Sequence, residues 1–569
     1  MSETNAANAE VTPTSTPARI GWAILIVVTL YVCYFSHLGA IGFVGPDEPR
    51  YAWIARDMAE TGDWVTPRLY GKPWFEKPPL FYWGAALSFK LFGVSEAAAR
   101  LPSAVSALLA TLALAWLALR LYGAETARWL LLLLSTTVGM IGFSRAAATD
   151  MPFSAMLTIA MVCAAVALGL ARDESSPVIP QTPWLALVLF GFFLGLAVLA
   201  KGPAAIILSG GAVFCWALFT KRWRHAFRLL HPAAIASFSL TALPWYIVCA
   251  RRNPDFIRIF IIEHNFKRYL TPEFQHLQPF WFYLPIVLAA TLPWTLVLIA
   301  VAKDMMQSFR DRLGSGMPSM FLGSWFGVPF VFFTLSKSKL PGYILPALPP
   351  LVLLCSYEVK RFLIVNVRWG RVILSASAIL PIAMLIAGLK YARDFPLISY
   401  PFLGLEYKTQ IAVIVLFLAV CLLVATAPLL IFIRRLKAGL LCSVFGLVAI
   451  VWFTTFLALP GLDRMLSPRT ASRTLSKMAG PNTEIMVCNV PRAYEYGYSY
   501  YLRREMTRWD RSRPPTRAIV ILGPACWGAL KNPEYRMDVN MDLMPWPVVE
   551  VEGPSANSLP RSGETKEEK

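Results

Sequence analysis

Charged residues are scarce in this chain. Asp, Glu, Lys and Arg make up only 15% of its 569 residues, whereas about 25% is usual in a soluble protein. Hydrophobic residues make up 56%, and the mean hydropathy is +0.53. This composition excludes an ordinary soluble protein and predicts a chain whose main solvent is the lipid bilayer.

The chain also lacks cysteine motifs for metal or redox chemistry and a module for binding nucleic acid. The nine cysteines form no CxxC pair and no metal-ligand spacing, and seven lie in apolar stretches as small hydrophobic residues. The net charge of +19 is dispersed over many loops without an aromatic-interleaved basic module, so we predict no nucleic-acid partner and expect anionic membrane lipids instead. Cys488 and Cys526 are candidates for a disulfide, because the predicted topology places both in an oxidising compartment.

Apolar stretches of about 20 residues, the length that crosses a bilayer, recur along the chain. The first covers residues 20–42 and follows a polar leader without a small-residue cleavage site, which indicates an uncleaved anchor. Twelve more windows centre near residues 107, 135, 161, 191, 210, 240, 290, 327, 352, 380, 420 and 449. About thirteen spans place the two termini on opposite sides of the membrane.

The basic loops favour a cytoplasmic N-terminus. Lys and Arg are dense over the short spans 221–228, 360–371 and 434–437. The opposite loops hold a similar number of basic residues over about twice the length. We therefore predict a cytoplasmic tail at residues 1–19, an all-α polytopic membrane domain at residues 20–460 and a small soluble α/β domain at residues 461–569 on the outer side.

Two outer regions have secondary-structure patterns of their own. In the first outer loop, residues 43–96, amphipathic helices are predicted for residues 47–62 and 79–92, of a type that lies at the membrane interface. The C-terminal region has predicted strands at residues 483–490, 517–522 and 548–551 and a helix at residues 492–508. It lacks a cluster of acids and bases, so we predict that it is not catalytic.

Acidic residues at outer helix ends are candidates for catalysis. Asp47 and Glu48 follow the first span directly, and Asp150 ends the segment SRAAATD. Charges beside apolar helix ends are costly unless they are solvated or paired. The alternative for Asp47 is a helix N-cap without a chemical role.

Basic and hydroxyl side chains in the outer segments are candidates for binding phosphate. The loop YGKPWFEKPP is stiffened by prolines and aromatics and holds Glu76 and Lys77 in place, and the turn SKSKLPGY offers donors without acids. A snorkelling lysine and an incidentally charged loop are the respective alternatives. The candidate set is Arg50, Tyr70, Lys77, Lys201, Arg268, Lys337, Lys339 and Tyr343.

Six motifs occur in one order over residues 20–350: GPDEPRYAWIARDM, YGKPWFEKPPLFYW, SRAAATDMP, LAKGP, EHNFKRY and SKSKLPGYILPALPP. Together they resemble the bacterial aminoarabinose transferases of lipid A, within the protein O-mannosyltransferase-like superfamily of membrane glycosyltransferases. The resemblance implies a GT-C type fold, a multi-pass protein of the bacterial inner membrane and a periplasmic active site. It also implies transfer of 4-amino-4-deoxy-L-arabinose from undecaprenyl phosphate to lipid A phosphate, which confers polymyxin resistance.

The same resemblance assigns roles to residues. It implies that Asp47 is the acid most closely tied to catalysis and that Asp150 is the second acid. Lys77, Lys201, Arg268 and Tyr343 match positions near the donor phosphate. Glu76 and His264 are candidates for a divalent metal, although one Glu and one His fall short of the usual ligand number and are more often structural.

Two other functions remain open from the sequence. A related GT-C enzyme would move another polyprenyl-linked sugar to protein or to another envelope glycan. A polyprenyl-lipid transporter is the alternative of a different class, but such proteins commonly have internal repeats and polar groups at the bilayer midplane. Here no repeat is seen and the polar groups lie in outer loops. We expect a monomer.

Overall fold

In a computed structural model of the chain, the described residues are 16–171, 184–270, 277–310, 317–365, 368–380, 421–422, 425–479, 483–509, 517–523, 525–526, 536–540 and 548–552. Within them, seven helices are long and apolar enough to cross a membrane, and two bent helix pairs raise that number to nine. The chain is therefore a multi-pass membrane protein.

The described residues before residue 366 form sixteen α-helices. In chain order they are α1 (Thr16–Leu30), α2 (Asp47–Thr61), α3 (Leu80–Phe92), α4 (Glu96–Tyr122), α5 (Ala124–Ser135), α6 (Val138–Ser144), α7 (Asp150–Ala167), α8 (Trp184–Lys201), α9 (Ala204–Thr220), α10 (Trp223–Ala226), α11 (Pro232–Arg252), α12 (Arg268–Leu270), α13 (Tyr283–Ala290), α14 (Leu298–Arg310), α15 (Met317–Leu335) and α16 (Leu348–Val365). A π-helical turn extends α1 to Phe35. Later helices cover Leu436–Phe453, Leu459–Leu466, Arg469–Met478 and Arg492–Leu502.

Eleven of the thirteen predicted windows fall on helices. The windows near residues 380 and 420 extend into parts of the chain outside the described residues, so the number thirteen stays a prediction. The window near residue 135 corresponds to two helices, α5 and α6, whose axes differ by 62°. The window near residue 290 corresponds to the helical segments Phe280–Ala290 and Trp294–Gln307, whose axes differ by 111°. Both predicted helices of the first outer loop are confirmed as α2 and α3.

The centre of the bundle is α7, which is apolar on all sides and 89% buried, as expected of an interior helix. It packs against α4 and α8. At the interface between α8 and α11, two glycines allow the helices to approach closely. A Cβ at Gly191 would lie 2.1 Å from the Ala234 carbonyl oxygen, and a Cβ at Gly195 would lie 2.8 Å from Thr241 Cβ. These contacts fix the ends of α7 and α8, which carry Asp150 and Lys201.

β1 (Arg68–Leu69) and β2 (Lys72–Pro73) form a short hairpin in the first outer loop. The C-terminal region contains β3 (Glu484–Cys488), β4 (Thr507–Arg508), β5 (Arg517–Leu522), β6 (Arg536–Asn540) and β7 (Val548–Glu552). These five strands form one sheet in the order β4-β3-β5-β7-β6. β4, β3 and β5 are parallel, whereas β7 pairs antiparallel with both β5 and β6. Cys488 and Cys526 form the disulfide considered from the sequence.

The predicted helix 492–508 is too long. It ends at Leu502, where Arg503 adopts a left-handed conformation with φ 57°, and Thr507–Arg508 form β4 instead. Pairing with β3 outweighs the helical pattern of these residues. β6 was not predicted.

The C-terminal region docks directly on the first outer loop. The Tyr501 hydroxyl donates to Glu96 Oε1 (2.9 Å) and accepts from the Phe43 amide (2.9 Å). Asp463 Oδ1 accepts from the Gly42 amide (2.6 Å), and the Arg469 guanidinium donates to the Gly39 carbonyl (3.0 Å). The sheet domain is thus joined by hydrogen bonds to the segment that leads into α2.

Candidate active site

α2 begins directly at the candidate acids. Pro46 precedes it and Asp47 and Glu48 lie in its first turn, where negative charge interacts favourably with the helix dipole. The helix ends at Gly62, whose φ of 75° is the left-handed conformation common after a last helical turn. The Asp47 side chain is 43% exposed, so the structure presents this carboxylate at the surface of the site.

Arg50 lies one turn after Asp47 and links the two parts of the first outer loop. Its side chain is only 8% exposed, forms an ion pair with Asp47, and donates to Glu76 Oε2 (2.9 Å) and the Pro46 carbonyl (2.9 Å). The guanidinium also lies over three aromatic rings at 5.1–5.8 Å: Tyr51, Trp74 and Tyr496. Arg50 is thus paired with both carboxylates and positions Asp47 and Glu76, and its role in binding phosphate stays a prediction.

Lys77 is close to the same group. Its Nζ lies 3.6 Å from Glu76 Oε1, and its side chain is 12% exposed. An ammonium has three donors and can contact a carboxylate and an anionic ligand at the same time. Lys77 therefore remains a candidate for binding the donor phosphate.

Glu76 and His264 remain predicted metal ligands, and the neighbours of Glu76 are cations. The Glu76 carboxylate is already paired with Arg50 and Lys77, and two cations at its oxygens oppose a third positive charge. In the described residues, no group of three or more His, Cys, Asp or Glu side chains converges. His264 lies half-buried in the π-helical segment Arg258–Lys267. We derive no step through a metal.

Glu48, the second acid of the pair, is buried and structural. Its two oxygens accept from Arg100 Nε (2.9 Å) and Nη2 (2.8 Å), from the Val44 amide (2.8 Å) and from the Ala147 amide (2.8 Å). Arg100 in turn donates to three carbonyls of the segment that precedes α2, those of Leu38, Ile41 and Gly42. Arg100 is not among the candidates predicted from the sequence, since an arginine on a membrane helix gives no local signal of its distant partner.

Asp150 and Lys201 form a second charged pair. Lys201 Nζ lies 2.5 Å from Asp150 Oδ1 and 4.4 Å from the centre of the Tyr343 ring. Gly342 permits this approach, because a Cβ at that position would lie 2.7 Å from Asp150 Oδ1. Three sequence motifs thus meet at one point, at the start of α7, the end of α8 and the turn before α16.

Two links place this pair beside the group at the head of α2. The Ala147 amide, three residues before Asp150, donates to Glu48, the neighbour of Asp47. Phe75, next to Glu76, packs in one hydrophobic cluster with Leu199 near the end of α8. Asp47, Arg50, Glu76, Lys77, Asp150, Lys201 and Tyr343 therefore border the same end of the bundle, which we call the site end.

The other candidates have different surroundings. Lys339 is buried, and its Nζ donates to the carbonyls of Ser336 (2.7 Å) and Gln278 (3.3 Å), so it stabilises its own loop; burial lowers its pKa. The side chain of Lys337 is exposed. Arg268 lies in α12, and its side chain is outside the described part of the structure.

Tyr70 is placed by a hairpin turn. Tyr70 (φ 53°) and Gly71 (φ 76°) connect β1 (Arg68–Leu69) to β2 (Lys72–Pro73), in the conformation typical of two-residue turns. Its ring packs edge-on against Trp53, with 4.8 Å between the ring centres. Burial raises the pKa of Tyr70 to about 12, so its hydroxyl stays protonated at neutral pH and remains a hydrogen-bond donor.

The contact between Gly342 and Asp150 can be tested by Gly342→Ala. The new Cβ must displace the Asp150 carboxylate or the Phe143 ring, 2.8 Å away, and thereby disturb the ion pair with Lys201. We expect activity to fall about tenfold or more, measured as turnover of the purified protein, because misplacement of a reacting group by about 1 Å is costly. Gly142→Ala is the matched control, since a Cβ there would meet nothing within 4 Å. Equal activities of the two variants would contradict the prediction.

Comparisons with known proteins agree with this architecture. The model of the family described as dolichyl-phosphate-mannose-protein mannosyltransferase matches residues 20–260. A crystal structure of ArnT from Cupriavidus metallidurans bound to undecaprenyl phosphate superimposes with a TM-score of 0.73 and 25% identity, and covers 94% of this chain and 99% of that chain. The fold is that of a GT-C type membrane glycosyltransferase.

The matches to curated proteins name one particular sugar transferase. The undecaprenyl phosphate-alpha-4-amino-4-deoxy-L-arabinose arabinosyl transferase of Edwardsiella ictaluri is 34% identical over 343 residues, 60% of each chain. The transferase of the same name from Erwinia tasmaniensis is 32% identical over 374 residues, 64% of this chain and 65% of the relative. The resemblance to aminoarabinose transferases is thereby confirmed, and the match covers less than two thirds of these relatives' length.

Proposed function

We propose that this protein is an inverting membrane glycosyltransferase that moves 4-amino-4-deoxy-L-arabinose from undecaprenyl phosphate to phosphate groups of lipid A. The observation that carries the proposal is that a partly exposed acid, Asp47, lies at the same end of the bundle as Lys77 and the Asp150–Lys201 pair. The names of the similar proteins supply the donor sugar and its carrier.

Transfer from a lipid phosphate builds negative charge on the leaving phosphate and positive charge on the sugar ring. Cations fixed near the leaving phosphate lower the barrier, because they need no reorganisation during the reaction. Lys77 has this role, with Lys201 beside the Tyr343 ring as a second cation. Arg268 and Lys337 lie on neighbouring turns, joined by the hydrogen bond from the Lys337 amide to the Tyr269 carbonyl (3.0 Å).

Asp47 then acts on the sugar side. A lipid A phosphate is already anionic near neutral pH and needs little deprotonation, so a general base is not required. The Asp47 carboxylate instead orients the sugar through its amine and stabilises the positive charge of the transition state. Arg50 fixes the orientation of the Asp47 carboxylate, and Glu76 fixes the position of the Lys77 ammonium.

We place the site end and the C-terminal domain in the periplasm of a Gram-negative bacterium. The Cys488–Cys526 disulfide supports this orientation, because disulfides persist in oxidising compartments. The dense basic spans 221–228 and 434–437 lie toward the opposite end of the helices, as the positive-inside rule requires of the cytoplasmic side. We propose a monomer with residues 1–19 in the cytoplasm and a domain boundary near residue 460.

The test is expression in a reporter strain that lacks its own aminoarabinose transferase. We expect lipid A to gain the mass of one or two aminopentose units, and survival in polymyxin to rise, because the added amine offsets the phosphate charge. Mass spectrometry of lipid A provides the measurement. Unchanged lipid A in cells that contain the correctly inserted protein would contradict this acceptor. A mass gain on a protein or another glycan would then identify a related GT-C transferase.

A further inference from the structure

A large apolar groove lies between α8, α9 and α11, away from the candidate active site. It encloses about 510 Å³, and its walls are almost entirely apolar. Its lining includes Phe190, Leu194, Val213, Phe214, Phe227 and Leu230. An apolar space of this kind between membrane helices suits a hydrocarbon chain.

One end of the groove, formed by residues 221–230 and called its mouth below, is basic. In the segment 221–230, the apolar residues Trp223, Ala226, Phe227, Leu229 and Leu230 line the groove. The residues between them include Lys221, Arg222, Arg224 and Arg228. The segment 221–230 thus lines one end of the apolar groove and also carries four cations.

These four cations have no acidic partner in the described part of the chain. The sequence itself contains no Asp or Glu from residue 202 to residue 254. Arg224 and Arg228 are exposed. An anionic group at the mouth would therefore be attracted by several cations at once, through charge-assisted hydrogen bonds.

The groove is separate from the site that we assign to glycosyl transfer. α9 starts three residues after Lys201 and runs for 17 residues to the basic segment, and a helix rises about 1.5 Å per residue. The mouth of the groove and the site end therefore lie roughly 25 Å apart, at opposite ends of the same helices.

We propose that this groove binds one anionic phospholipid, with an acyl chain between α8, α9 and α11 and the head-group phosphate against Arg222, Arg224 and Arg228. The net negative charge of the lipid complements these cations, which have no acidic partner among the described residues, whereas a zwitterionic lipid carries its own ammonium and gains less. Since α8 also carries Lys201, the bound lipid stabilises a helix of the active site from its far end.

Native mass spectrometry of the full-length protein in detergent tests this proposal. With phosphatidylglycerol and phosphatidylcholine added in equal amounts, we expect one phosphatidylglycerol to remain bound, with an apparent affinity at least about tenfold higher. Arg224→Gln/Arg228→Gln should abolish this preference. Arg434→Gln/Arg435→Gln removes two exposed arginines of another basic loop and should leave it unchanged.

A third variant tests the groove without changing any charge. Gly210 lines the groove, and a Cβ there would meet nothing within 4 Å, so Gly210→Leu fills the space that the acyl chain requires. We expect it to lower phosphatidylglycerol binding about tenfold or more with the same thermal unfolding midpoint in lipid-free detergent.

Four outcomes would overturn the proposal. Equal binding of the two lipids, or equal losses in the two arginine variants, would indicate diffuse surface charge alone. Unchanged binding in Gly210→Leu would show that the groove holds no acyl chain. Displacement of phosphatidylglycerol by an equal amount of undecaprenyl phosphate would assign the groove to the sugar carrier.

Discussion

Asp47→Asn is expected to lower the turnover number about 100-fold or more while leaving donor binding nearly unchanged. The amide keeps the shape of the side chain and its contact with Arg50, but it lacks the charge that stabilises the sugar cation. Fixed charges at a developing charge typically contribute 100- to 1000-fold. The measurement is transfer of aminoarabinose to lipid A by the purified protein, with undecaprenyl phosphate binding measured separately.

The control is Glu60→Gln on the same helix. Glu60 forms an ion pair with Arg56 (2.8 Å), but its side chain is 57% exposed at the far end of α2, so the variant should retain full activity. Turnover of Asp47→Asn within threefold of wild type would contradict the catalytic role and leave Asp47 as a residue of the first helical turn. Equal loss of donor binding and turnover would instead assign it to substrate binding.

Arg100→Met is expected to destabilise the protein by about 3–5 kcal/mol, because it leaves the buried Glu48 carboxylate without its counter-charge. The Arg100 side chain is 4% exposed and that of Glu48 is 10% exposed. The same change removes the donor of three carbonyls in the segment before α2. The thermal unfolding midpoint in detergent should fall by several degrees, and the amount of inserted protein should fall with it.

Two further variants separate this effect from a general loss of charge. Arg128→Met breaks the ion pair of Arg128 with Glu125 (3.5 Å), where both side chains are partly exposed, and should cost about 1 kcal/mol or less. Glu48→Gln/Arg100→Met removes both buried charges and should recover part of the stability. An unfolding midpoint of Arg100→Met equal to that of Arg128→Met would disprove the role of the buried pair.

The contact between Arg50 and Tyr496 links the C-terminal domain to the site. The sequence predicted a domain that is not catalytic and left its contacts open, and in the described residues the domain places no acid or base in contact with Asp47. Yet the helix Arg492–Leu502 places the Tyr496 ring 5.1 Å from the Arg50 guanidinium, and Tyr500 packs edge-on against Phe43 at 4.8 Å. The domain therefore supports the position of α2 and is part of the structure around the site.

The sequence by itself determined the features that depend on local composition. Apolar stretches of bilayer length predicted the spans, and helical periodicity with Pro46 and Gly62 at the ends predicted α2. Short, mostly apolar runs predicted three strands of the C-terminal sheet. The six ordered motifs carried the resemblance to aminoarabinose transferases. That resemblance assigned Asp47 and Asp150 to catalysis and Lys77 and Lys201 to the donor phosphate.

Only the tertiary structure decided which charges are paired. Glu48 and Arg100 are 52 residues apart, and no periodicity links an acid on one helix to an arginine on another. The sequence also did not predict that Glu76 pairs with Arg50 and Lys77, two cations that oppose binding of a metal ion. Nor did it predict that the Lys339 ammonium donates to two backbone carbonyls. A local pattern shows that a charge is present, but whether it remains available for chemistry depends on the buried donors and acceptors that the fold brings to it.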